Sequence, residues 1–275
     1  MSDLKLDQFL QDNPDIEIFE VILHDLNGNQ RGKWLPRSQI SKVFDGGFKM
    51  PLSACSLDCW GRDQDELVEE NGDTDGICKA HSETLARVPW ADKPTAQIII
   101  SMGNEAGDAP FGGDCRSVLQ SVLDRYAALG LTPVVASEIE FHLLTLDQDK
   151  FGQPQHTQRA LDGSPALGGQ TYGLDTMRNA APLMDAIADA AKVQNLPIDT
   201  LVTEFGPSQF ELNLYHQDSA MRACDQGSML KRAIRSVARQ HDKIASFMAK
   251  PFAQEVGNGM HIHFSLLDEQ GNNVF

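Results

Sequence analysis

Residues 136–144 read ASEIEFHLL, and Glu138 and Glu140 stand one residue apart in a run that otherwise has the composition of buried β-strand. Strand side chains at i and i+2 share a face. Two carboxylates placed side by side repel, and taking them out of water is costly unless a cation or donors compensate. The pattern recurs. Glu204 and Glu211 bracket the short stretch FGPSQF, Glu211 and Asn213 share a face opposite Phe210, Leu212 and Leu214, and His261 and His263 again sit at i and i+2. If these strands are neighbours, the carboxylates of Glu138, Glu140, Glu204 and Glu211 converge with two imidazoles. Hard oxygen donors with imidazole suit Mg²⁺ or Mn²⁺ rather than zinc. Such an ion would neutralise the repulsion. Taken singly, E-x-E is commonly a solvated sheet face, H-x-H a satisfied structural pair and FGPSQFE a turn. Their conjunction, with the Gly-rich approach GNGMHIH, favours a metal centre.

The elements that must position these residues are partly legible. IEIFEVILHD and RGKWLP flank an Asn-Gly turn and predict a hairpin from about Ile16 to Leu35. SQISKVF is a short helix candidate, the acidic stretch 61–76 reads as loop, and QIIISM, Gln97 to Met102, as strand. Residues 1 to about 105 form a small α+β unit on this reading. The pattern changes near Gly103–Gly113. DCRSVLQSVLDRYAALG predicts an amphipathic helix capped by Asp114 and stopped at Gly130, with Val118, Leu119, Val122, Leu123 and Tyr126 as its apolar stripe. APLMDAIADAAKVQN predicts a helix with Pro182 in its first turn. A long helix is expected from about Ser219 to His241, weakened at Gly227. TPVVASEIEFHLLTL, TEFGPSQFELNLY, SFMAK and MHIHFSLL are expected to be strands. Their polar–apolar alternation favours an antiparallel or mixed sheet over a buried parallel one.

Composition narrows the function. There are 23 basic and 39 acidic residues, a net charge of −16. Nucleic acid is an unfavourable partner for such a surface, whereas a cationic substrate or a divalent metal suits it. Solubility alone would also account for the charge. No apolar run has the length of a membrane span. The acidic, polar start MSDLKLDQFLQDNPD does not read as a secretory signal. Cys55, Cys59, Cys78, Cys115 and Cys224 form no Cys-x-x-Cys pair, so neither a zinc site nor a disulfide framework is signalled. A reducing cytoplasm is the expected setting.

The order EIEF, TEFGPSQFELNLYH, FMAKPF, GNGMHIHFSL resembles the catalytic domain of the glutamine synthetase family, and DLNGNQRGKW resembles the family's small β-grasp domain. The resemblance runs over nearly the whole chain. FELNLYH, FMAKPF and GMHIH look closest to the branch that joins glutamate to polyamines. It implies an α+β fold: a β-grasp-like domain over 1–105, then a catalytic domain over 106–275 with a largely antiparallel sheet. The implied reaction is ATP-dependent ligation of the glutamate γ-carboxyl to an amine such as putrescine, through a γ-glutamyl phosphate. Glu140, Glu204 and Glu211 match the carboxylates of one metal site. Glu138 and His261 match ligands of a second. His263 matches a contact to ATP phosphate, Ser265 lies where the family approaches the nucleotide, and Gly257 matches a glycine of the glutamate site. The family builds stacked rings in which one subunit completes the next subunit's site. By that resemblance the loop of Ser56, Leu57 and Asp58 approaches a neighbouring active site, with Asp58 as the candidate acceptor of the amine proton.

Val256 stands where many ammonia-using members carry asparagine, and Ser208 where glycine is commoner. The sequence stops at Phe275, soon after LLDEQGNN, which reads as an unfinished strand–turn–strand. The resemblance places phosphate-binding arginines, a further carboxylate ligand and a flap beyond that point. A chain of this length is therefore expected to bind metal with little ligase activity. Glutamine synthetase using ammonia is one alternative, and an inactive fragment that binds metal or joins full-length subunits is another.

Overall fold

A computed structural model describes residues 4–64, 66, 72–158 and 162–275. Part of the acidic stretch expected to be loop, residues 65 and 67–71, lies outside the described residues. The chain divides into two compact units, Met1–Leu129 and Gly130–Phe275.

The first unit is a five-stranded sheet built from β1 (Ile18–His24), β2 (Gln30–Pro36), β3 (Lys49–Pro51), β4 (Asp75–Arg87) and β5 (Thr95–Met102), in the order β2-β1-β5-β4-β3. The central pair β1–β5 is parallel and the other pairs are antiparallel. Among the described residues it is accompanied by helices α1 (Leu4–Asp12), α2 (Ser41–Phe44) and α3 (Cys115–Ala128). The hairpin forms where its Asn-Gly turn predicts it, with His24 opposite Gln30. Phe19, Val21 and Leu23 of β1 and Ile98, Ile100 and Met102 of β5 alternate onto one face and make the core. Helix α1 and strand β4 were not expected. The run KAHSETLA in β4 has no period-two alternation, and only pairing with β5 makes it a strand. Asp114 caps α3 by accepting the Ser117 N–H at 2.8 Å, and its other carboxylate oxygen accepts the Met102 N–H at 3.0 Å. That second bond ties α3 to β5, so the pattern change at 103–113 falls inside this unit. The expected apolar stripe of α3 is not buried as a whole: Leu119, Leu123 and Tyr126 are half-buried, while Val118 and Val122 are exposed.

The second unit is an antiparallel sheet organised on one long strand, β6 (Thr132–Gln148). Strand β9 (Gln209–Leu214) lies along one side of it and carries β8 (Ile198–Thr203). Strand β11 (Met260–Leu267) pairs with residues 132–139 of β6, and β10 (Lys243–Ser246) with residues 142–145. The short β7 (Pro154–His156) also pairs with β6. Helix α4 (Leu174–Val193) packs on β8 and on helix α5 (Ala220–Gln240), which packs on β6 and β10. Gly227, expected to weaken α5, instead sets how closely it approaches the sheet: a Cβ there would lie 3.1 Å from Ser137 Oγ. The helices therefore cover the odd-numbered face of β6, where Ile139, Phe141 and Leu143 are buried. Glu138 and Glu140 must face the other way.

Three further expectations are corrected. The stretch TEFGPSQFELNLY is not one strand: β8 ends at Thr203 and β9 begins at Gln209, with residues 204–208 forming the turn between them. Helix α4 begins at Leu174, so Pro182 lies inside it rather than in its first turn. The leading LDTMRN lacks an apolar stripe, and tertiary packing overrides the missing signal. Only Lys243–Ser246 forms the strand expected at SFMAK, so Phe247–Lys250 are irregular. No helix among the described residues is long and apolar enough to cross a membrane.

Candidate metal centre

The strand register brings the predicted polar residues together in rows. His261 of β11 stands opposite Glu138 of β6, which stands opposite Asn213 of β9. One row along, Glu140 stands opposite Glu211. Residues opposite each other in antiparallel strands share a face, so Glu138, Glu140, Glu211 and His261 lie on one face, away from the helices. Glu204 follows β8 at the head of the β8–β9 turn, where its N–H donates to the Gln209 carbonyl at 2.9 Å. Glu138 lies between two imidazoles, with Oε2 3.1 Å from His261 Nδ1 and Oε1 2.8 Å from His263 Nε2. Glu138, Glu211 and His261 offer ligand atoms that all lie within 4.8 Å of one another. This trio cuts across the assignment implied by resemblance, which put Glu211 at one ion and Glu138 and His261 at the other. A single cation fits the trio, since two carboxylates and an imidazole are a hard-donor set.

The electrostatics show why a cation suits this face. Burial, then the charges of Glu138 and Glu204, push the Glu211 carboxyl up. Burial, then the Glu140 charge, push Glu204 up. Burial also acts to raise Glu138, but hydrogen bonds from His263 and His261 outweigh it and hold Glu138 below its ordinary value. The chain has thus collected acids that resist ionising together.

Gln209 and Gly259, which the sequence reading did not single out, help to hold the face in place together with Gly257. Gln209 Oε1 accepts the Gly206 N–H at 2.9 Å, which fixes the amide's orientation. Its Nε2 then donates to Glu140 Oε2 at 2.8 Å and to the Gly257 carbonyl at 2.9 Å. Gly257 and Gly259 are glycines for space: a Cβ would come 2.3 Å from the Ala249 carbonyl oxygen and 2.7 Å from Glu140 Oε1, respectively. The spacing of Gln209 two residues before Glu211 could have placed both on one face, but its partner Glu140 is remote in sequence.

The remaining candidates lie as follows. His263 is opposite Ala136, half-exposed, with its ring edge-on to His216 at 5.7 Å. Ser265 is opposite Val134 and half-buried. Ser208 is buried at φ +55°, the left-handed region that favours glycine, and its Oγ lies 2.7 Å from Thr157 Oγ1. Asp58 belongs to the first unit, where Oδ1 accepts the N–H groups of Trp60 and Arg62, each at 2.8 Å.

The model of the glutamine synthetase catalytic domain matches residues 112–275. The chain belongs to the glutamine synthetase family. Its relatives in that family are carbon–nitrogen ligases. The chain is 36% identical to γ-glutamylputrescine synthetase of Escherichia coli, an alignment covering 97% of the chain and 57% of that protein. It is 26% identical to glutamate–methylamine ligase of Methyloversatilis universalis, over 99% of the chain and 57% of that protein. The solved structure of GmaS with ADP superposes with a TM-score of 0.81 at 27% identity, covering 100% of the chain and 58% of GmaS. The chain therefore spans a little over half the length of these glutamine synthetase relatives.

Proposed function

We propose that the chain carries the metal-binding face of an ATP-dependent glutamate–amine ligase whose acceptor is putrescine or another polyamine. The observation that carries this reading is the convergence of Glu138, Glu140, Glu211 and His261 on one sheet face within this family. The identity to the E. coli putrescine ligase and the net charge of −16 support a cationic acceptor.

By resemblance Glu140, Glu204 and Glu211 would hold one Mg²⁺ or Mn²⁺ ion and Glu138 and His261 a second, with Glu211 also within reach of the second set, since its ligand atom lies within 4.8 Å of those of Glu138 and His261. The ions, when bound, neutralise phosphate charge and the carboxylates' own repulsion. An oxygen of the glutamate γ-carboxylate takes the γ-phosphoryl group of ATP as the bond from the γ-phosphorus to the bridging oxygen breaks and ADP leaves. The amine nitrogen then attacks the carboxyl carbon, the C–O bond to phosphate breaks and a proton leaves the nitrogen. His263 faces Glu138 through Nε2, which leaves Nδ1 for a phosphate oxygen. Ser265 lies toward the nucleotide, and the Gly257 backbone toward glutamate. Asp58 of a neighbouring subunit in a ring receives the amine proton.

Glutamine synthetase proper is the second reading. Val256 disfavours it, because an apolar side chain stands where many ammonia-using members place an amide. Calorimetric titration with Mn²⁺ should show binding that Glu138→Gln or Glu211→Gln removes, and a silent titration sinks the metal centre. Phosphate release with putrescine, methylamine and ammonia side by side, on protein spanning the relatives' full length, decides the acceptor. Equal or faster turnover with ammonia would discard the polyamine.

A further inference from the structure

His142 is one residue type that the metal reading leaves without a purpose. It lies on the same face of β6 as Glu138 and Glu140, and it is 0% exposed. Its Nδ1 is 2.8 Å from Asn258 Oδ1. The Asn258 amide cannot be turned over, because its Nδ2 donates to the carbonyls of Ser246 and Met248 at 3.1 and 2.8 Å. The atom facing His142 is therefore an acceptor, and His142 Nδ1 carries the proton. The other nitrogen, Nε2, is buried with no partner. Gly206 closes it off, since a Cβ there would lie 2.8 Å from Nε2. Burying an imidazole with one nitrogen unsatisfied costs stability. An apolar side chain would fill this place without that cost, so the single bond to Asn258 is the feature that needs explaining.

That bond joins β6 to the irregular segment 247–259, which carries Gly257. Asn258 Oδ1 is also 3.4 Å from Gln209 Nε2, the atom that donates to Glu140 Oε2 and to the Gly257 carbonyl. We propose that His142 and Asn258 are positioning residues. They pin segment 247–259 against β6 and, through Gln209, fix the direction of the Glu140 carboxylate and the Gly257 carbonyl. In this role His142 and Asn258 act through Gln209 and the segment and not by touching metal or substrate. The link to metal affinity rests on the metal-centre reading above, whereas the pinning of the segment does not. Partners of metal-ligating groups commonly change affinity by about 10–100-fold when removed.

The test compares His142→Leu, which removes the donor, with His142→Asn, whose amide can donate from the place of Nδ1. Asn258→Ala breaks the same bond from the loop end and serves if the leucine variant does not fold. Hydrogen exchange on the metal-free chain should be faster in 247–259 by about tenfold or more in His142→Leu, with β1 and β5 unchanged. The Mn²⁺ dissociation constant should rise by about 10–100-fold. His142→Asn should restore both. Unchanged exchange in His142→Leu and Asn258→Ala overturns the proposal, whatever the metal result. Failure of His142→Asn to restore either property reduces His142 to packing and overturns it as well. If the unaltered chain binds no Mn²⁺, the metal-centre reading and the affinity half of the proposal fall together, and exchange alone decides the pinning.

Discussion

Glu211 is where the stability of the fold and the chemistry of the site oppose each other. It is 8% exposed, sits opposite Glu140 and has its carboxyl pushed up by burial and by neighbouring carboxylates. Replacing it by glutamine removes one of the crowded charges at nearly constant volume. Glu211→Gln should therefore raise the melting stability of the metal-free chain. The same variant should lose most of the stabilisation that Mn²⁺ gives the unaltered chain. Thermal melts with and without Mn²⁺ measure both effects, and a destabilised metal-free variant would contradict the crowding argument. Asp58 presents a different separation of roles. Its Oδ1 already organises the turn by accepting two backbone N–H groups. Asp58→Asn keeps that acceptor, so stability should stay within about 0.5 kcal/mol, as for ordinary surface changes. If Asp58 takes the amine proton, phosphate release by protein spanning the relatives' length should fall by ~10²-fold or more. Equal rates for the two proteins would remove Asp58 from the reaction.

At the scale of elements, β6 organises the second unit. It is 17 residues long and pairs with β7, β9, β10 and β11. Its odd face is core: Phe141 is fully buried, with ring centroids of Phe210 and Phe247 at 6.1 and 5.6 Å. Because side chains alternate, the packing of Phe141 fixes the direction of Glu138 and Glu140, and a one-residue slip would carry both into the core. In the first unit, the end of β4 is fastened to the approach to β1 by Arg87, which grips Asp15 with two bonds of 2.9 and 2.6 Å. The hydrogen bond from Arg87 holds the Asp15 carboxyl at about 2, below its reference value of 3.8. The folded value is depressed, so this pair's contribution is fully present above 3.8 and is lost as pH falls through about 2. Arg87→Met should thus destabilise the chain at pH ~7, and the charge-dependent part of that loss should fade in acid. Urea melts of both proteins across that window give the result, and a difference growing toward low pH would refute the assignment.

For the whole molecule, the net charge of −16 is a property that no single contact contains. Such a field attracts cations over distances set by the Debye length. A doubly charged diamine gains more from it than an ammonium ion does. In protein spanning the relatives' length, the KM for putrescine should therefore rise with ionic strength more steeply than the KM for ammonia. Steady-state phosphate release across a salt series measures the two slopes, and parallel slopes would separate acceptor choice from the global charge. The sheet of the second unit also carries an open apolar surface. On β11, Met260, Ile262 and Phe264 are 64, 61 and 44% exposed, on the side opposite the histidines. The corresponding face of β6 is buried under helix α5.

What the sequence determined by itself was local and periodic. A period of two put Glu138 with Glu140, Glu211 with Asn213 and His261 with His263, since the pleat needs no partner to alternate side chains. The Asn-Gly hairpin and the cap Asp114 were legible for the same reason, each being settled within a few residues. Strand β4 was not, because its residues do not alternate and its pairing with β5 makes it a strand. Pro182 was misplaced because packing extended its helix over a polar first stretch. The rows of the candidate metal centre were also beyond the sequence. That Glu138 faces His261 and Glu140 faces Glu211 is a matter of register between strands remote in the chain. The bond from His142 to Asn258 spans 116 residues, and that from Gln209 to Glu140 spans 69. Periodicity tells which side chains share a face, but only the tertiary pairing of strands and the burial it imposes decide which of them meet.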